Sequence, residues 1–400
     1  MAKALFLGLP LHGHTNPSLA LVRELVGRGE EIVYYSADAF AASIEEAGAQ
    51  YRPYRSAFLA DMQHLPDRLD QLPWLLLKTT AELLEHELDA FRAERPDYLI
   101  TDSVAPWGQW VAEVLGVPVV TSVTTFAFNR RVLTSGLARG ARPKSMRLFL
   151  SKIRHIASAA MIGWRLRRRY GVRGTGIMGT MFGCSGLNIV YTSRYFQPFV
   201  DTFDDRFQFV GPSIAPRTEA AGFPWERAPH PVVVYVSLGT LFNTDATFYQ
   251  HCFEAFQGED FTVIMSVGTN LPVEALGPAP PNFIVQARVP QLEVLQRAAA
   301  FVTHGGMNSV SESLYYGVPV VVVPQMGEQR IIGRRVEELG AGLCFANEPT
   351  ANELRDSVRR ILAEDRFRQR AALMRESLQT AGGVARAADA IQVFTRRQRG

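Results

Sequence analysis

The stretch Phe301-Val-Thr-His-Gly-Gly-Met-Asn-Ser-Val-Ser-Glu312 decides the fold class of this sequence. An apolar run leads into two glycines, and a helical pattern follows with Asn308 and Ser309 in its first turn. Glycines let the backbone approach a ligand closely, and the amides and dipole of a helix N-terminus attract anionic oxygen. The stretch therefore predicts a strand, a turn and a helix that together suit a diphosphate. The competing interpretation is an ordinary tight turn with a capping Asn.

The same alternation of β-branched runs and amphipathic helices extends in both directions, which is typical of parallel sheets covered on both faces. The predicted strands of the first half are Ala4–Leu9, Glu31–Tyr35, Tyr98–Asp102 and Pro118–Val123. Those of the second half are Val232–Ser237, Thr262–Val267, Phe283–Gln286, Ala300–Thr303 and Val318–Val323. Helices are predicted at Asp245–Phe256, Gln291–Ala298, Ser309–Tyr316 and Glu328–Leu339, and in two stretches after Pro349.

The first helix is expected to start with Asn16 as its cap and Pro17 at its first position. The length of 400 residues suggests two or three domains at about 150 residues each. A Pro- and Gly-rich stretch without periodicity, 211–231, is the predicted linker. The predicted domains are therefore 1–210 and 232–382, with a terminal helix at 383–400. Two doubly wound domains imply a cleft lined by the carboxyl ends of strands, where a ligand is expected.

Composition excludes several classes of protein. Apolar residues form 47% of the chain and charged residues 20%, which is typical of a globular protein. The net charge of +3, from 42 basic and 39 acidic residues, gives no reason to expect a nucleic-acid partner. Three dispersed cysteines and no convincing signal peptide favour a cytoplasmic protein. No apolar stretch approaches the ~20 residues that span a bilayer.

Further motifs surround the deciding stretch and give it a family context. Arg288-Val-Pro-Gln-Leu-Glu-Val-Leu precedes it, and Gly317-Val-Pro-Val-Val-Val-Val-Pro-Gln-Met-Gly-Glu-Gln329 follows. Gly13-His-Thr-Asn-Pro17 lies near the start, and Ser237-Leu-Gly-Thr240 opens the second half. Over almost its whole length the chain resembles the natural-product UDP-glycosyltransferases, including the bacterial macrolide glycosyltransferases. The resemblance implies a GT-B fold of two Rossmann-like domains facing a cleft, with the terminal helix packing back on the N-terminal domain.

The resemblance also implies a binding site for the nucleotide-sugar donor. Arg288 stands where many members place a tryptophan that stacks on uracil, and Val289 and Gln291 would contact the base. An arginine plane also stacks on a base, but this departure leaves the choice between UDP and TDP open. Glu312 matches the glutamate that binds ribose. The diphosphate cradle would comprise Ser237, Thr240, His304, Gly306, Asn308 and Ser309. Glu328 and Gln329 match the pair that holds sugar hydroxyls, with Gln usually accompanying glucose; otherwise they are an ordinary exposed helix start.

His14 is the predicted catalytic base, because transfer requires removal of a proton from the acceptor hydroxyl and imidazole suits this near neutral pH. Asp102 ends a predicted strand and matches the family's orienting aspartate, which fixes the tautomer of the histidine. On chemistry alone His12 rivals His14, and Asp102 is equally able to cap a helix. Attack opposite the departing diphosphate would invert the anomeric centre. The sequence contains no DxD motif or other metal-ligand cluster, so no metal and no cofactor are expected.

The expected reaction is transfer of a hexose to a hydroxyl of a hydrophobic small molecule. The leading donor candidate is UDP-glucose, and the acceptor candidates are a macrolide, a flavonoid or other phenolic, and a sterol. Residues 139–173 are rich in arginine and lysine interleaved with apolar residues. With 58–77 this region forms the acceptor pocket in the resembled family; a solvated helix and a membrane contact rank below that interpretation. A lipid glycosyltransferase and a non-catalytic sugar-nucleotide binding protein stay open as alternatives. A dehydrogenase fits poorly, because Gly8-Leu-Pro-Leu-His-Gly lacks the GxGxxG fingerprint. The oligomeric state is not predicted.

Overall fold

The computed structural model describes residues 1–60, 72–135, 137, 146–173, 186–214, 223–239 and 246–399. The chain divides into two compact units. The first unit comprises Met1–Arg131, Ala141–Ile214 and Ala381–Gly400, and the second comprises Val132–Gly140 and Ala215–Thr380. Among the described residues, no helix is long and apolar enough to cross a membrane.

The first unit is built on a parallel sheet. Its described strands are β1 (Lys3–Leu7), β2 (Glu31–Ser36), β3 (Gln50–Pro53), β4 (Tyr98–Asp102), β5 (Val119–Val123), β6 (Leu187–Val190) and β7 (Phe207–Phe209). They lie in the order β3-β2-β1-β4-β5-β6-β7. The order reverses between β1 and β4, and ligands of open α/β sheets bind beyond the carboxyl ends of strands at such a switch point.

Helices cover both faces of this sheet because successive side chains of each strand point to opposite sides. Leu5 and Leu7 pack in one cluster with Trp107 and Trp110, whereas Phe6 packs in another with Leu21. The helices in this part of the chain are α1 (His12–Gly27), α2 (Ala41–Glu46), α3 (Ala57–Ala60), α4 (Leu72–His86), α5 (Leu88–Ala93), α6 (Pro106–Leu115), α7 (Arg130–Thr134) and α8 (Met146–Tyr170).

The second unit repeats the plan. Its described strands are β8 (Val233–Ser237), β9 (Thr262–Ser266), β10 (Phe283–Gln286), β11 (Ala298–Thr303), β12 (Val320–Val322) and β13 (Gly342–Cys344), in the order β10-β9-β8-β11-β12-β13. Its helices are α9 (Ala246–Phe256), α10 (Gln291–Leu295), α11 (Met307–Tyr315), α12 (Gly327–Glu338), α13 (Ala351–Ala363) and α14 (Asp365–Gln379). Here the order reverses between β8 and β11, so a second switch point lies beside Ser237 and Thr303.

The last helix, α15 (Gly383–Arg399), packs against α1 in the first unit, as expected. Ile391 is fully buried in the same apolar cluster as Leu21. Arg28, the C-cap residue of α1, forms an ion pair with Asp389 at 2.5 Å. The expectation of two Rossmann-like parallel sheets with a returning terminal helix is confirmed.

The predicted start of α1 is wrong. The helix begins at His12, after extended Leu11, and Pro17 lies inside it. Its first turn closes ahead of the proline because the backbone amides of His14 and Thr15 both donate to the Leu11 carbonyl, at 2.9 and 2.8 Å. Pro17 has no amide hydrogen, so the helix lacks the one hydrogen bond that this residue would donate. His14 therefore lies in the first turn of α1 and not in a loop before it.

The predicted helix from Gln291 is too long at its end. It stops at Leu295, because Ala298 pairs with Val233 in the ladder between β11 and β8. The short strands β3, β6, β7 and β13 were not predicted. Three of them, β3, β7 and β13, are edge strands of three or four residues, which carry little of the continuous apolar pattern that marks central strands.

Candidate active site

The switch point of the first unit brings His14 and Asp102 together. His14 follows β1 at the start of α1, and Asp102 ends the adjacent strand β4. His14 Nδ1 lies 2.8 Å from Asp102 Oδ2, and the Asp102 side chain is almost fully buried. The other carboxylate oxygen, Oδ1, accepts a hydrogen bond from the Val104 amide at 2.7 Å. Asp102 therefore orders the loop before α6 with one oxygen and contacts His14 with the other.

This contact fixes the tautomer of His14. A carboxylate only accepts hydrogen bonds, so the proton of the neutral imidazole resides on Nδ1. The lone pair is then on Nε2, the nitrogen that acts as a base in histidine–aspartate pairs. Nδ1 also lies 3.0 Å from the Oγ1 of Thr124, which directly follows β5.

His12, the rival of His14 on chemistry, is in a different environment. Its side chain is exposed, and its ring makes an edge contact with Phe40 at a centroid distance of 5.0 Å. The ring of His14, in contrast, contacts the carboxylate of Asp102, which makes His14 the candidate base.

In the second unit, glycines crowd the ring of His304 at the other switch point. His304 follows β11, and Ser237 ends the neighbouring strand β8. A Cβ atom on Gly239 would lie 2.6 Å from His304 Cε1, and one on Gly306 would lie 2.5 Å from His304 Nε2. Gly239 also has a φ of +79°, in the region that favours glycine. These glycines leave the space that the imidazole occupies.

His304 is neutral at physiological pH. Burial lowers the pKa of its imidazole from 6.5 to about 4, against a smaller opposing effect of a hydrogen bond to the Ser237 backbone. A neutral imidazole offers a hydrogen bond to a phosphate oxygen without adding a full charge. Because the neutral imidazole adds no positive charge, attraction of an anion here would have to come from the helix terminus that follows.

That helix, α11, begins without a side-chain cap. Its N-cap residue is Gly306, which has no side chain to cap the helix. Asn308 and Ser309 are the second and third residues of the helix. The interpretation of the motif as a turn with a capping Asn is therefore wrong, because Asn308 lies inside the helix. Backbone amides at an uncapped N-terminus are suited to bind an anion.

Two residues predicted to touch different parts of a nucleoside contact each other. Gln291, at the start of α10, donates from Nε2 to Glu312 Oε2 at 2.6 Å. Tyr235 of β8 donates from its hydroxyl to Gln291 Oε1 at 3.2 Å. Glu312 is buried, with 4% of its surface exposed. The three side chains form a chain of hydrogen bonds that orients the glutamate.

The remaining predicted donor residues lie in two loops and a helix start. Arg288 is exposed between β10 and α10, and the neighbouring Val289 is buried. Glu328 is exposed in the first turn of α12, whereas Gln329 is buried. The Oε1 of Gln329 accepts hydrogen bonds from the backbone amides of Gln325 and Met326, at 2.7 and 3.1 Å. Gln329 therefore closes the first turn of α12 and is not an exposed helix-start residue.

Some predictions lie outside the described residues. These include Thr240, residues 215–222 of the predicted linker, and parts of both predicted acceptor segments, 61–71 and 139–145. Within the described ranges, no group of His, Cys, Asp and Glu side chains is arranged to hold a metal ion.

Four residues of these arrangements were not among the predicted site residues: Thr124 and Tyr235, and also Gly239 and Gly305, which lie within the quoted motifs. Thr124 directly follows β5, next to the switch-point strand β4, but neighbouring threonines share that position and nothing local in the sequence distinguishes it. Gly305 has a φ of +87°, and a Cβ there would lie 2.5 Å from Val322 Cγ1. Its pairing with Gly306 was visible in the sequence, but which of the two glycines has a left-handed backbone was not.

Two parallel doubly wound sheets with polar side chains at both switch points are typical of glycosyltransferases built from two Rossmann-like units. A family model described as the erythromycin biosynthesis protein CIII-like C-terminal domain matches residues 254–385. The chain is 36% identical to the NDP-glycosyltransferase YjiC of Bacillus licheniformis, over 96% of both proteins. It is 34% identical to the demethyllactenocin mycarosyltransferase of Streptomyces fradiae, over 98% of this chain and 86% of that protein.

The solved structures agree with this relationship. The crystal structure of CalG4, the calicheamicin glycosyltransferase, matches with a TM-score of 0.81 at 31% identity, over 99% of both chains. The chain belongs to the NDP- and UDP-glycosyltransferases, a family that includes macrolide glycosyltransferases, and it has the GT-B fold. It is an enzyme of the natural-product glycosyltransferase type.

Proposed function

We propose that this enzyme transfers a hexose from a nucleotide diphosphate sugar to a hydroxyl group of a hydrophobic small molecule, with inversion at the anomeric carbon. UDP-glucose is the leading donor candidate. The observation that carries the proposal is the contact between His14 Nδ1 and Asp102 Oδ2 at the first switch point. This pair makes His14 a base whose tautomer is fixed, and a sugar-nucleotide binding protein has no need of one.

In the proposed step, the acceptor oxygen attacks the anomeric carbon of the donor. His14 Nε2 takes the hydroxyl proton, and Asp102 stabilises the imidazolium that forms. The bond from the anomeric carbon to the phosphate oxygen breaks, and its electron pair leaves on the diphosphate. Attack from the opposite face converts an α-linked donor to a β-glycoside.

The second unit binds the donor in this proposal. The amides at the start of α11 and the His304 imidazole hydrogen bond to the diphosphate and stabilise its developing charge. Buried Glu312, oriented by Gln291, accepts from the ribose hydroxyls. The uncapped helix terminus is the reason to propose transfer without a metal ion. Because Oε1 of Gln329 is bonded to the backbone, its Nε2 is the group proposed to meet a sugar hydroxyl.

Arg288 is proposed to lie against the nucleobase. Its guanidinium is exposed beside the buried Val289, so it is available to stack on a planar base. A guanidinium stacks on uracil and thymine alike, so we propose that both UDP and TDP sugars bind. The name of the Streptomyces fradiae relative specifies mycarose as its sugar, which makes sugar identity the first variable of the test.

The test is a product assay with purified protein, UDP-glucose and other UDP and TDP sugars, a panel of macrolide, phenolic and sterol acceptors, and excess chelator. We expect a new hexoside mass from wild-type protein and none from His14→Ala, which should still bind UDP. The exposed rival His12→Ala is the matched control and should retain activity. Equal activity of the wild type and His14→Ala would refute the proposed base, and loss of activity in chelator would refute metal independence.

A second candidate, a lipid acceptor taken at a membrane surface, is favoured by one observation on α8. Met161 and Trp164 are 50% and 53% exposed, and the neighbouring Arg165, Arg167 and Arg168 are also exposed. Exposed apolar side chains among arginines are suited to an anionic lipid surface. In this case Trp164→Ser should lower sedimentation with phosphatidylglycerol vesicles at low salt. The control Leu373→Ser, at an exposed apolar residue of the second unit, should not.

A further inference from the structure

The residue that follows β5, Thr124, contacts the same nitrogen of His14 as Asp102 does. Its Oγ1 lies 3.0 Å from His14 Nδ1. Oδ2 of Asp102, at the end of β4, lies 2.8 Å from the same nitrogen. The Thr124 side chain is buried, with 5% of its surface exposed. A carboxylate oxygen at the end of β4 and a hydroxyl oxygen just after β5 therefore contact the same ring nitrogen.

Nδ1 either carries a proton, which it donates, or a lone pair, which accepts a proton from Thr124. The charge of Asp102 decides which of the two is present. If Nδ1 carried a lone pair, that lone pair would face the carboxylate at 2.8 Å, which is repulsive. Nδ1 therefore carries a proton, and Thr124 Oγ1 accepts part of the same hydrogen bond, with its own hydroxyl proton directed elsewhere. Both contacts persist when Nε2 is protonated, and both strengthen because hydrogen bonds from a charged donor are stronger.

We propose that Thr124 is a positioning residue for the His14 base: with Asp102 it holds the imidazole ring by Nδ1 and stabilises the imidazolium that forms during transfer. The inference rests on the proposed role of His14. It adds a residue from a third strand to the pair and predicts how each oxygen contributes. Asp102 sets the tautomer, whereas Thr124 restrains rotation of the ring and shares the positive charge.

Two buried phenols near this pair, those of Tyr34 and Tyr191, stay neutral. Burial, with a contribution from the charge of Asp102, raises the pKa of Tyr34 on β2 and of Tyr191 after β6, so both phenols are uncharged in any practical assay. His12, on the same helix as His14, packs against Phe40. Asp102 is a charged group in direct contact with the His14 ring.

The test compares Thr124→Val with Thr125→Val. Valine keeps the shape of threonine and removes the hydroxyl. Thr125 is also buried, and among the described residues its Oγ1 has no hydrogen-bond partner, so the same substitution there removes no contact. Initial rates with UDP-glucose and the best acceptor of the panel give kcat, both KM values and the pH dependence of kcat/KM for each variant.

We expect Thr124→Val to lower the plateau of kcat by about three- to tenfold, because the contact already exists with the neutral imidazole and only its strengthening in the imidazolium is lost. The KM for the donor should not change. The acid limb of kcat/KM should move to lower pH, by about 0.5 to 1 unit, because the imidazolium loses an acceptor and its pKa falls. Thr124→Ser should restore both quantities, and Thr125→Val should match the wild type.

Each remaining outcome has a definite meaning. A merely structural role would lower the rate of Thr124→Val without moving the acid limb, and this result would overturn the proposal. So would Thr124→Ser behaving like Thr124→Val, or Thr124→Val matching Thr125→Val. If His14→Ala is as active as the wild type, the base assignment itself fails, and that failure is seen independently of any Thr124 variant.

Discussion

The substitution Gly306→Ala tests the diphosphate site by displacing a neighbour while leaving the backbone unstrained. Gly306 has φ of −61° and ψ of 141°, which alanine adopts readily. The added Cβ would lie 2.5 Å from His304 Nε2 and 3.0 Å from Cε1. Because the clash involves the end of a side chain, we expect the His304 ring to rotate away and the fold to persist.

The expected magnitude follows from the contact that is lost. A hydrogen bond to a charged group contributes about 1.5–3 kcal/mol, so losing the one from His304 to a diphosphate should weaken donor binding about tenfold to a hundredfold. Stability should change by no more than about 1 kcal/mol, since alanine also restricts the unfolded chain. The predicted result is weak donor binding by a protein that unfolds normally.

Calorimetric titration with UDP and urea unfolding measure the two quantities separately. Gly327→Ala is the matched control, because it also lies at a helix start and a Cβ there meets no atom within 4 Å. The double variant Gly306→Ala with His304→Ala should bind UDP no more weakly than His304→Ala alone. Unchanged UDP affinity in Gly306→Ala, or additive losses in the double variant, would contradict a hydrogen bond from His304 to the diphosphate.

Three further predictions concern pH, packing and catalysis. The pKa of His304 is about 4 in the folded protein against an ordinary 6.5, so between these values the unfolded chain binds a proton that the folded protein does not. Stability should therefore fall as the pH drops from 6.5 towards 4. In urea unfolding, His304→Gln should lose less stability than the wild type between pH 7 and pH 5. Ile391→Ala should lower the free energy of unfolding by about 2–5 kcal/mol, and an unchanged value would contradict the packing of α15 on the first unit. Asp102→Asn should lower kcat more than about 100-fold with UDP affinity unchanged, because asparagine can donate to Nδ1 and reverse the tautomer; a small effect on kcat would count against the pair.

The sequence predicted the two parallel sheets because their central strands are buried on both faces and so form nearly continuous apolar runs. It was less informative wherever tertiary pairing decides the structure. Ala298 belongs to a helical pattern by composition, yet it lies in β11 because Val233 pairs with it. Pro17 suggested a helix start, yet the first turn closes earlier on the carbonyl of Leu11.

The candidate site shows the same division. His14, Asp102 and His304 were predicted because each lies at the carboxyl end of a predicted strand and matches a motif of the resembled family. The contact between Gln291 and Glu312 joins residues 21 positions apart, and neither residue's local pattern specifies the other as its partner. Thr124 was missed because one threonine among several at the end of β5 has no local signature; only the position of the His14 ring distinguishes it from Thr125.

Inverting transfer is best tested by mass spectrometry of the product formed from UDP-glucose and the acceptor panel in excess chelator, followed by NMR of the anomeric proton. We expect a hexoside with β configuration, formed by wild-type protein and absent with His14→Ala. An α-glycoside would contradict inversion. If none of the UDP and TDP sugars yields a product or binds to the protein, the proposed donor site is wrong.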